Sequence, residues 1–217
     1  MPVQLDHLVL TVRDLDAAVS DFATRTGVEP VAGGSHPGMG TRNALVGVSW
    51  QGARRAYLEL LGPDPDQPPV PPERTMLGAG DVWGQAPRLH GWAVEAPGTA
   101  LDEAVERARQ AGVDVGRPVA TQRRRADGTL LSWRLAAPYP LGLGGVQPFL
   151  IDWQGGAHPS DADLPWLELK ELRAEHPDPV LAVRVIRALG AQVDVAAGPA
   201  PRLIAVVGAP AGDLTLT

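Results

Sequence analysis

Two histidines and two carboxylates occupy matching places in the two halves of this chain. Leu5-Asp6-His7-Leu8-Val9-Leu10-Thr11-Val12 carries an imidazole near the start of one apolar strand, and Tyr57-Leu58-Glu59-Leu60-Leu61-Gly62 carries a carboxylate in the middle of a later one. The pattern returns as Leu89-His90-Gly91-Trp92-Ala93-Val94 and then Phe149-Leu150-Ile151-Asp152-Trp153. The second interval is longer, and the Gly/Pro-rich stretch from Ala136 to Val146 has room for the excess. Brought to one point, such groups can hold a divalent ion: zinc, iron, manganese, nickel or cobalt. An ion with open positions can chelate two neighbouring substrate oxygens and stabilise the anion that forms on them. A carboxylate beside it can carry a proton between adjacent carbons. His7, Glu59, His90 and Asp152 are therefore the candidate metal ligands. Glu59, with its longer reach, is the candidate catalytic base.

Strand alternation sharpens this expectation. Leu8, Leu10 and Val12 share one face of the first strand, which leaves His7 on the other with Val9 and Thr11. Glu59 shares a face with Tyr57 and Leu61. A charge among large apolar neighbours must line a cavity, meet a counter-charge or bind a metal. Plainer roles exist for each residue. Glu59 can pair with Arg42 or Arg55, and Asp152 can cap the turn that begins at Gln154. Arg123, Arg124 and Arg125 read as a solvated strand edge. Arg134, beside Trp133, can meet an anionic substrate group or pair with a carboxylate. His36 lies in a Gly-rich loop at the expected cavity mouth, and His158 and His176 read as structural.

Three helices must hold these strands in place. The first starts at Asp14 or Asp16, carries Leu15, Ala18, Val19 and Phe22 at helical spacing and ends at Gly27. The second runs from a Thr99 cap through Leu101, Ala104, Val105 and Ala108 to Gly112. The third runs from Asp178 through Ala182, Val185, Ile186 and Leu189 to Gly190. The closing glycines recur with a period of about 80 residues. Ala126-Asp127-Gly128 is a candidate hairpin tip. Each unit reads as strand, helix and about three strands, with the third unit short and incomplete. The expected division is 1–62 and 88–160 for two βαβββ modules, 63–87 for a Pro-rich connector and 161–217 for a partial third module. The connector holds Pro63, Pro65, Pro68, Pro69, Pro71 and Pro72, a run that no helix interior or central strand admits.

With 217 residues, the chain can bury a substantial core. It has no cysteine, which excludes disulfides and thiolate metal sites. A formal charge of −6 argues against nucleic acid as a partner. No apolar run suits a membrane span and no secretory leader is visible, so a cytoplasmic protein is expected.

The ordered set of motifs resembles the glyoxalase-like members of the vicinal oxygen chelate superfamily. The matching residues are Leu5-Asp6-His7-Leu8-Val9, Gly40-Thr41-Arg42-Asn43, Tyr57-Leu58-Glu59-Leu60, Arg125-Ala126-Asp127-Gly128, Trp133-Arg134, Pro148-Phe149-Leu150-Ile151-Asp152-Trp153 and His158-Pro159-Ser160. The resemblance implies an α+β fold, with paired βαβββ modules forming curved mixed sheets around a cavity and a partial third module against them. It also implies metal ligands on the first and last strands of each module, the places of His7, Glu59, His90 and Asp152. Asp152 stands where isomerising relatives usually carry glutamate. The implied activity is a metal-dependent glyoxalase or dioxygenase type (lyase, isomerase or ring-cleaving oxygenase) on a small oxygen-rich molecule. Substrate contacts are expected from His36, Asn43, Trp92 and Arg134. The competing expectation is a metal-free small-molecule binding or drug-sequestering protein. A small molecule is the expected partner, with no nucleic acid and no membrane, and the chain can act as a monomer or homodimer because it supplies both halves of the cavity.

Overall fold

The computed structural model describes residues 4–96, 101–125 and 128–217. The first unit is β1 (Leu5–Thr11), α1 (Leu15–Thr26), β2 (Val31–His36), β3 (Thr41–Trp50) and β4 (Ala53–Pro63). Helix α1 starts where the Asp14 carboxylate accepts from the Ala17 N–H, and it stops at Gly27 in the left-handed conformation, φ 72°. The second unit is β5 (Arg88–Glu95), α2 (Leu101–Gln110), β6 (Val119–Arg124), β7 (Leu130–Ala136) and β8 (Phe149–Asp152). The Thr99 cap and the Ala126-Asp127 part of the hairpin tip lie outside the described residues.

Both units are wired alike. In the first, β1 runs parallel to β4, β4 antiparallel to β3, and β3 antiparallel to β2. In the second, β5 runs parallel to β8, β8 antiparallel to β7, and β7 antiparallel to β6. Antiparallel pairing of β1 with β5 joins them on one side. On the other side they meet through the Ser35–Arg124 pairing of β2 and β6. The eight strands thus close into a barrel-like ring.

Alternation along the strands gives this ring two apolar faces. Leu8, Leu10, Val12, Leu58, Leu60, Trp92, Val94 and Leu150 pack outward in one core with Leu15 and Phe22 of α1 and with Leu101, Ala104 and Ala108 of α2. Val9, Leu45, Tyr57, Leu61, Ala93, Leu131, Trp133, Leu135, Phe149, Ile151 and Trp153 pack inward in another. Leu8, Leu58 and Leu60 have no exposed surface. Each such side chain contributes about 1.5–3 kcal/mol through burial. The connector crosses the inner core and adds Met76 and Ala79 to it.

The third unit has the same order of elements: β9 (Trp166–His176), α3 (Pro179–Ala188), β10 (Asp194–Ala197), β11 (Arg202–Gly208) and β12 (Leu214–Leu216). It is short rather than missing an element, since β10 has four residues and β12 three. Its wiring differs. Strand β9 pairs with β10 and β11, and β12 pairs with β11. The first and last strands therefore do not pair as β1 and β4 do, and this unit extends the sheet instead of enclosing a second cavity. It attaches where Trp166–Leu169 run parallel to Gly47–Trp50 at the end of β3. None of the helices among the described residues is long and apolar enough to cross a membrane.

Candidate active site

Glu59 lies at the centre of the polar cluster inside the ring. It projects from β4 toward the barrel interior, 3% exposed, two residues beyond Tyr57 on the same face. Its Oε1 accepts a hydrogen bond from Asn43 Nδ2 on β3. His7 Nε2 is 3.8 Å from Oε2 and His36 Nε2 is 4.0 Å from Oε1. Both imidazoles are held from behind. The Asp6 carboxylate is 2.6 Å from His7 Nδ1, and Thr41 Oγ1 is 3.0 Å from His36 Nδ1. Tyr57 stacks on the His7 ring at 4.6 Å, and Phe149 meets its edge at 5.3 Å.

Asp6 anchors this arrangement. It is 2% exposed and also accepts from Trp153 Nε1 at 2.8 Å, with His158 Nε2 at 3.2 Å. Burial pushes its carboxyl up, but hydrogen bonds from His158 and His7, with the charges on those rings, hold it well below the usual carboxylate range. An ionised Asp6 only accepts, so His7 Nδ1 carries a hydrogen and donates. The ring Nε2 faces a carboxylate oxygen of Glu59. At 3.8 Å the gap is too long for a direct hydrogen bond, and it suits a shared water or a mobile proton. Burial lowers His36 to about 4 despite the attraction of Glu59, so His36 is neutral near pH 7. Burial, and then the Asp6 and Glu59 charges, push the Tyr57 hydroxyl well above its ordinary value.

The cavity around Glu59 is lined by His7, His36, Asn43, Tyr57, Met76 and Arg123, with Trp133, Phe149, Ile151 and Trp153 closing it. About 10 Å³ is open to the centre of a water molecule, the room of a single water. Asn43 also lines a wide surface groove beside α1 and β2.

The structure brings together His7, Glu59, His36 and Asn43 among the residues singled out in the sequence. It places His90, Asp152, Trp92 and Arg134 elsewhere. His90 sits where the β1–β5 register shifts, opposite Val9 and Leu10, and its Nε2 is 2.9 Å from the carbonyl oxygen of Leu77 in the connector. Burial lowers its pKa, and the charges that reach it are Arg88 and Asp81, not Glu59. Asp152 lies next to inward-facing Ile151 and so points to the opposite face, where its Oδ1 accepts from the Gln154 N–H. Trp92 is in the outer core and donates to the Val146 carbonyl. Arg134 forms a bidentate pair with Asp102 on α2.

Strand register explains the split. His7 stands opposite Tyr57, two residues before Glu59. In the second unit Ala93 stands opposite Phe149, two residues before Ile151. The true counterparts of His7 and Glu59 are thus Ala93 and Ile151, and the second unit contributes apolar side chains where the first contributes ionisable ones. His90 and Asp152 matched by residue type but not by register, and a slip of one residue reverses the face. The expected four-ligand centre does not fit these residues. No group of three or more imidazole or carboxylate side chains among the described residues is placed to hold a metal ion.

Two inward residues were missed in the sequence. Arg123 was read as part of a solvated edge, yet it is 4% exposed and donates to Asn43 Oδ1 at 3.3 Å. Its burial lowers the guanidinium pKa. The signal was alternation: Thr121 and Arg123 are buried, and Gln122 and Arg124 are exposed. Asp6, in the Leu5-Asp6-His7 motif, is the second, and its neighbour His7 marks the spot.

The family model for the glyoxalase-like domain matches residues 5–197, and the chain belongs to that family. None of the curated proteins matches it. Among solved structures, a hypothetical protein from Staphylococcus aureus aligns with a TM-score of 0.68 at 12% identity, covering 98% of each chain. That likeness supports the fold. A methylmalonyl-CoA epimerase from Mycobacterium tuberculosis aligns over 68% of this chain and 84% of its own, with 22% identity and a TM-score of 0.41. The Streptomyces coelicolor methylmalonyl-CoA epimerase in complex with 2-nitronate-propionyl-CoA aligns over 73% of this chain and all of its own, with 20% identity and a TM-score of 0.47. These two alignments are too loose to speak for activity.

Proposed function

We propose that this chain is a metal-independent proton-transfer enzyme of isomerase or epimerase type, acting on a small carbonyl compound in the barrel. The single observation that carries this reading is the Glu59 carboxylate, buried between two imidazole Nε2 atoms at 3.8 and 4.0 Å. A carboxylate held in a closed cavity is placed to take a proton from a substrate carbon brought against it. Glu59 takes a proton from the carbon beside the carbonyl, and the electron pair moves onto the carbonyl oxygen as an enolate. Returning the proton to the same or the neighbouring carbon completes the exchange. Asn43 fixes the Oε1 edge of the carboxylate. His7, oriented by Asp6, lies on the Oε2 side and can relay the proton. Tyr57, Phe149, Trp133 and Trp153 exclude water from the anion.

Metal dependence was the sharper expectation from sequence. It relied on ligands from both units, and Ala93 and Ile151 offer none. The test is deuterium exchange from solvent into a panel of enolisable aldehydes, ketones and keto acids, followed by NMR. It uses protein purified without nickel and dialysed against chelator, with metal content measured. Exchange is expected to survive dialysis and to fall by roughly 10²–10⁴-fold in Glu59→Gln. Exchange that needs an added ion would restore the metal-dependent reading. Binding without exchange for every compound would favour a binding protein.

A further inference from the structure

The cavity contains donors that the protein itself does not satisfy. Arg123 Nε and Trp133 Nε1 are both buried and have no hydrogen-bond partner. Their residues are 4% and 5% exposed, and both line the cavity around Glu59. They are diagonal neighbours across the β6–β7 pair, since Arg123 stands opposite Leu131 and Thr121 opposite Trp133. In such a pair the two side chains lie on one face, about 7–8 Å apart at the backbone. Most buried polar groups find partners, and of the four orphaned side-chain donors among the described residues two belong to Arg123 and Trp133, which line one small cavity. The Arg123 guanidinium bonds to a neutral acceptor, Asn43 Oδ1, whose amide also bonds to Glu59, and the Glu59 charge acts on the guanidinium through space.

From these donors we infer that Arg123 and Trp133 form the binding site for the carboxylate, or an equivalent small oxyanion, of the ligand. This deepens the reading of Glu59 as base, because it names the substrate class as a small carboxylic acid. One oxygen of the anion accepts from Arg123 Nε, and the anion also accepts from Trp133 Nε1. Its neighbouring carbon is thereby directed into the space before Glu59. Space limits the size. With room for about one water, the cavity admits a one- to three-carbon acid only as Met76, an unbranched and flexible side chain of the connector, gives way. Beside Trp133 the lining continues with Phe149, Ile151 and Trp153, whose one polar group, Trp153 Nε1, is already bonded to Asp6, so this side offers nothing to a second charged group.

Binding is testable without turnover. Indole-¹⁵N-labelled protein is titrated with formate, acetate and pyruvate, and with acetamide as the neutral match. The Trp133 Nε1–H resonance is assigned from Trp133→Phe. It is expected to move with the acids and to stay in place with acetamide. Arg123→Gln is expected to weaken acetate binding by roughly 10–100-fold, the range for losing a charged hydrogen bond. Arg123→Lys retains a cation and should recover part of the affinity. Glu59→Gln should bind as tightly as the native chain or better, since a like charge is removed. A Trp133 resonance that ignores all three acids would overturn the inference, and so would equal responses to acetate and acetamide. If Arg123→Gln does not fold, the native titration and Arg123→Lys still decide. Binding of the acids without exchange would refute the role of Glu59 and leave the anion site standing.

Discussion

Asp6 holds His7 by its Nδ1 atom at 2.6 Å, and this contact sets which nitrogen faces Glu59. The same carboxylate gathers Trp153 from the end of β8 and His158 from the segment that follows. One side chain therefore ties the two units together on the inner side of the ring. Replacing it leaves three buried donors with a weaker acceptor. Asp6→Asn is expected to cost about 2–4 kcal/mol. For a chain of this size that lowers Tm by roughly 5–15 °C. A melting point unchanged from the native chain would show that these donors find other partners.

The acid limb of stability should carry the mark of His36. Its pKa is near 4 in the folded chain and 6.5 in the unfolded one. Between those values the unfolded state binds more protons, so stability falls as pH falls through this window and levels out below about pH 4. The loss amounts to roughly 3 kcal/mol at most. His90 adds a smaller effect of the same sign, because its pKa is also lowered by burial. The Asp6 carboxyl, held low, gives up its contribution only at more acidic pH. Urea melts from pH 7 to pH 4 should show the decline, and His36→Asn should flatten it. A slope that persists unchanged in His36→Asn would assign the titration to other groups.

His90 and Asp152 offer a direct contrast with His7 and Glu59. Asp152 is half-buried and caps a turn, while His90 braces the connector at Leu77. Asp152→Asn should change stability by no more than about 0.5 kcal/mol. His90→Ala should cost about 1–3 kcal/mol by leaving the Leu77 carbonyl unpaired. Neither substitution should reduce proton exchange by as much as tenfold, whereas Glu59→Gln should. Equal losses in all three would mean that both units feed one centre.

The repeat, the Asp14 and Asp178 caps and the two faces of β1 and β4 were legible because each depends on local spacing. The pairing of His7 with Glu59 followed from those faces. Residue type failed in β5 and β8. A register shift opposite Val9 and Leu10 lets His90 leave the alternation, and alignment by His and Asp concealed that Ala93 and Ile151 hold the inward places. Register belongs to strand pairing, and one strand read alone does not contain it. Arg123 was obscured by its neighbours, since three consecutive arginines look solvated until alternation is applied within them. The changed wiring of the third unit was equally invisible, because the order of elements is the same in all three units.

Gly47 tests how that third unit is attached. Its N–H donates to the Pro165 carbonyl, and a Cβ at this position would lie 2.6 Å from the Trp166 ring. Arg54 covers the same ring, with its guanidinium carbon 4.4 Å from the ring centre. The indole is therefore clamped between a backbone that has no side chain and a cation. Gly47→Ala must push Trp166 outward and strain the parallel pairing of β9 with β3. Overpacking of this kind costs about 1–3 kcal/mol. The loss should appear as a lower Tm and as faster proteolysis within 161–217, while Glu59 and its cavity stay intact. The outer core runs without a break from Leu5 and Trp92 to Leu172, Ile186 and Leu203. Loosening the clamp should therefore expose apolar surface on both sides and raise the binding of a hydrophobic dye. A Gly47→Ala protein with native Tm and native dye binding would mean that the shared core, and not the Trp166 contact, holds the unit in place.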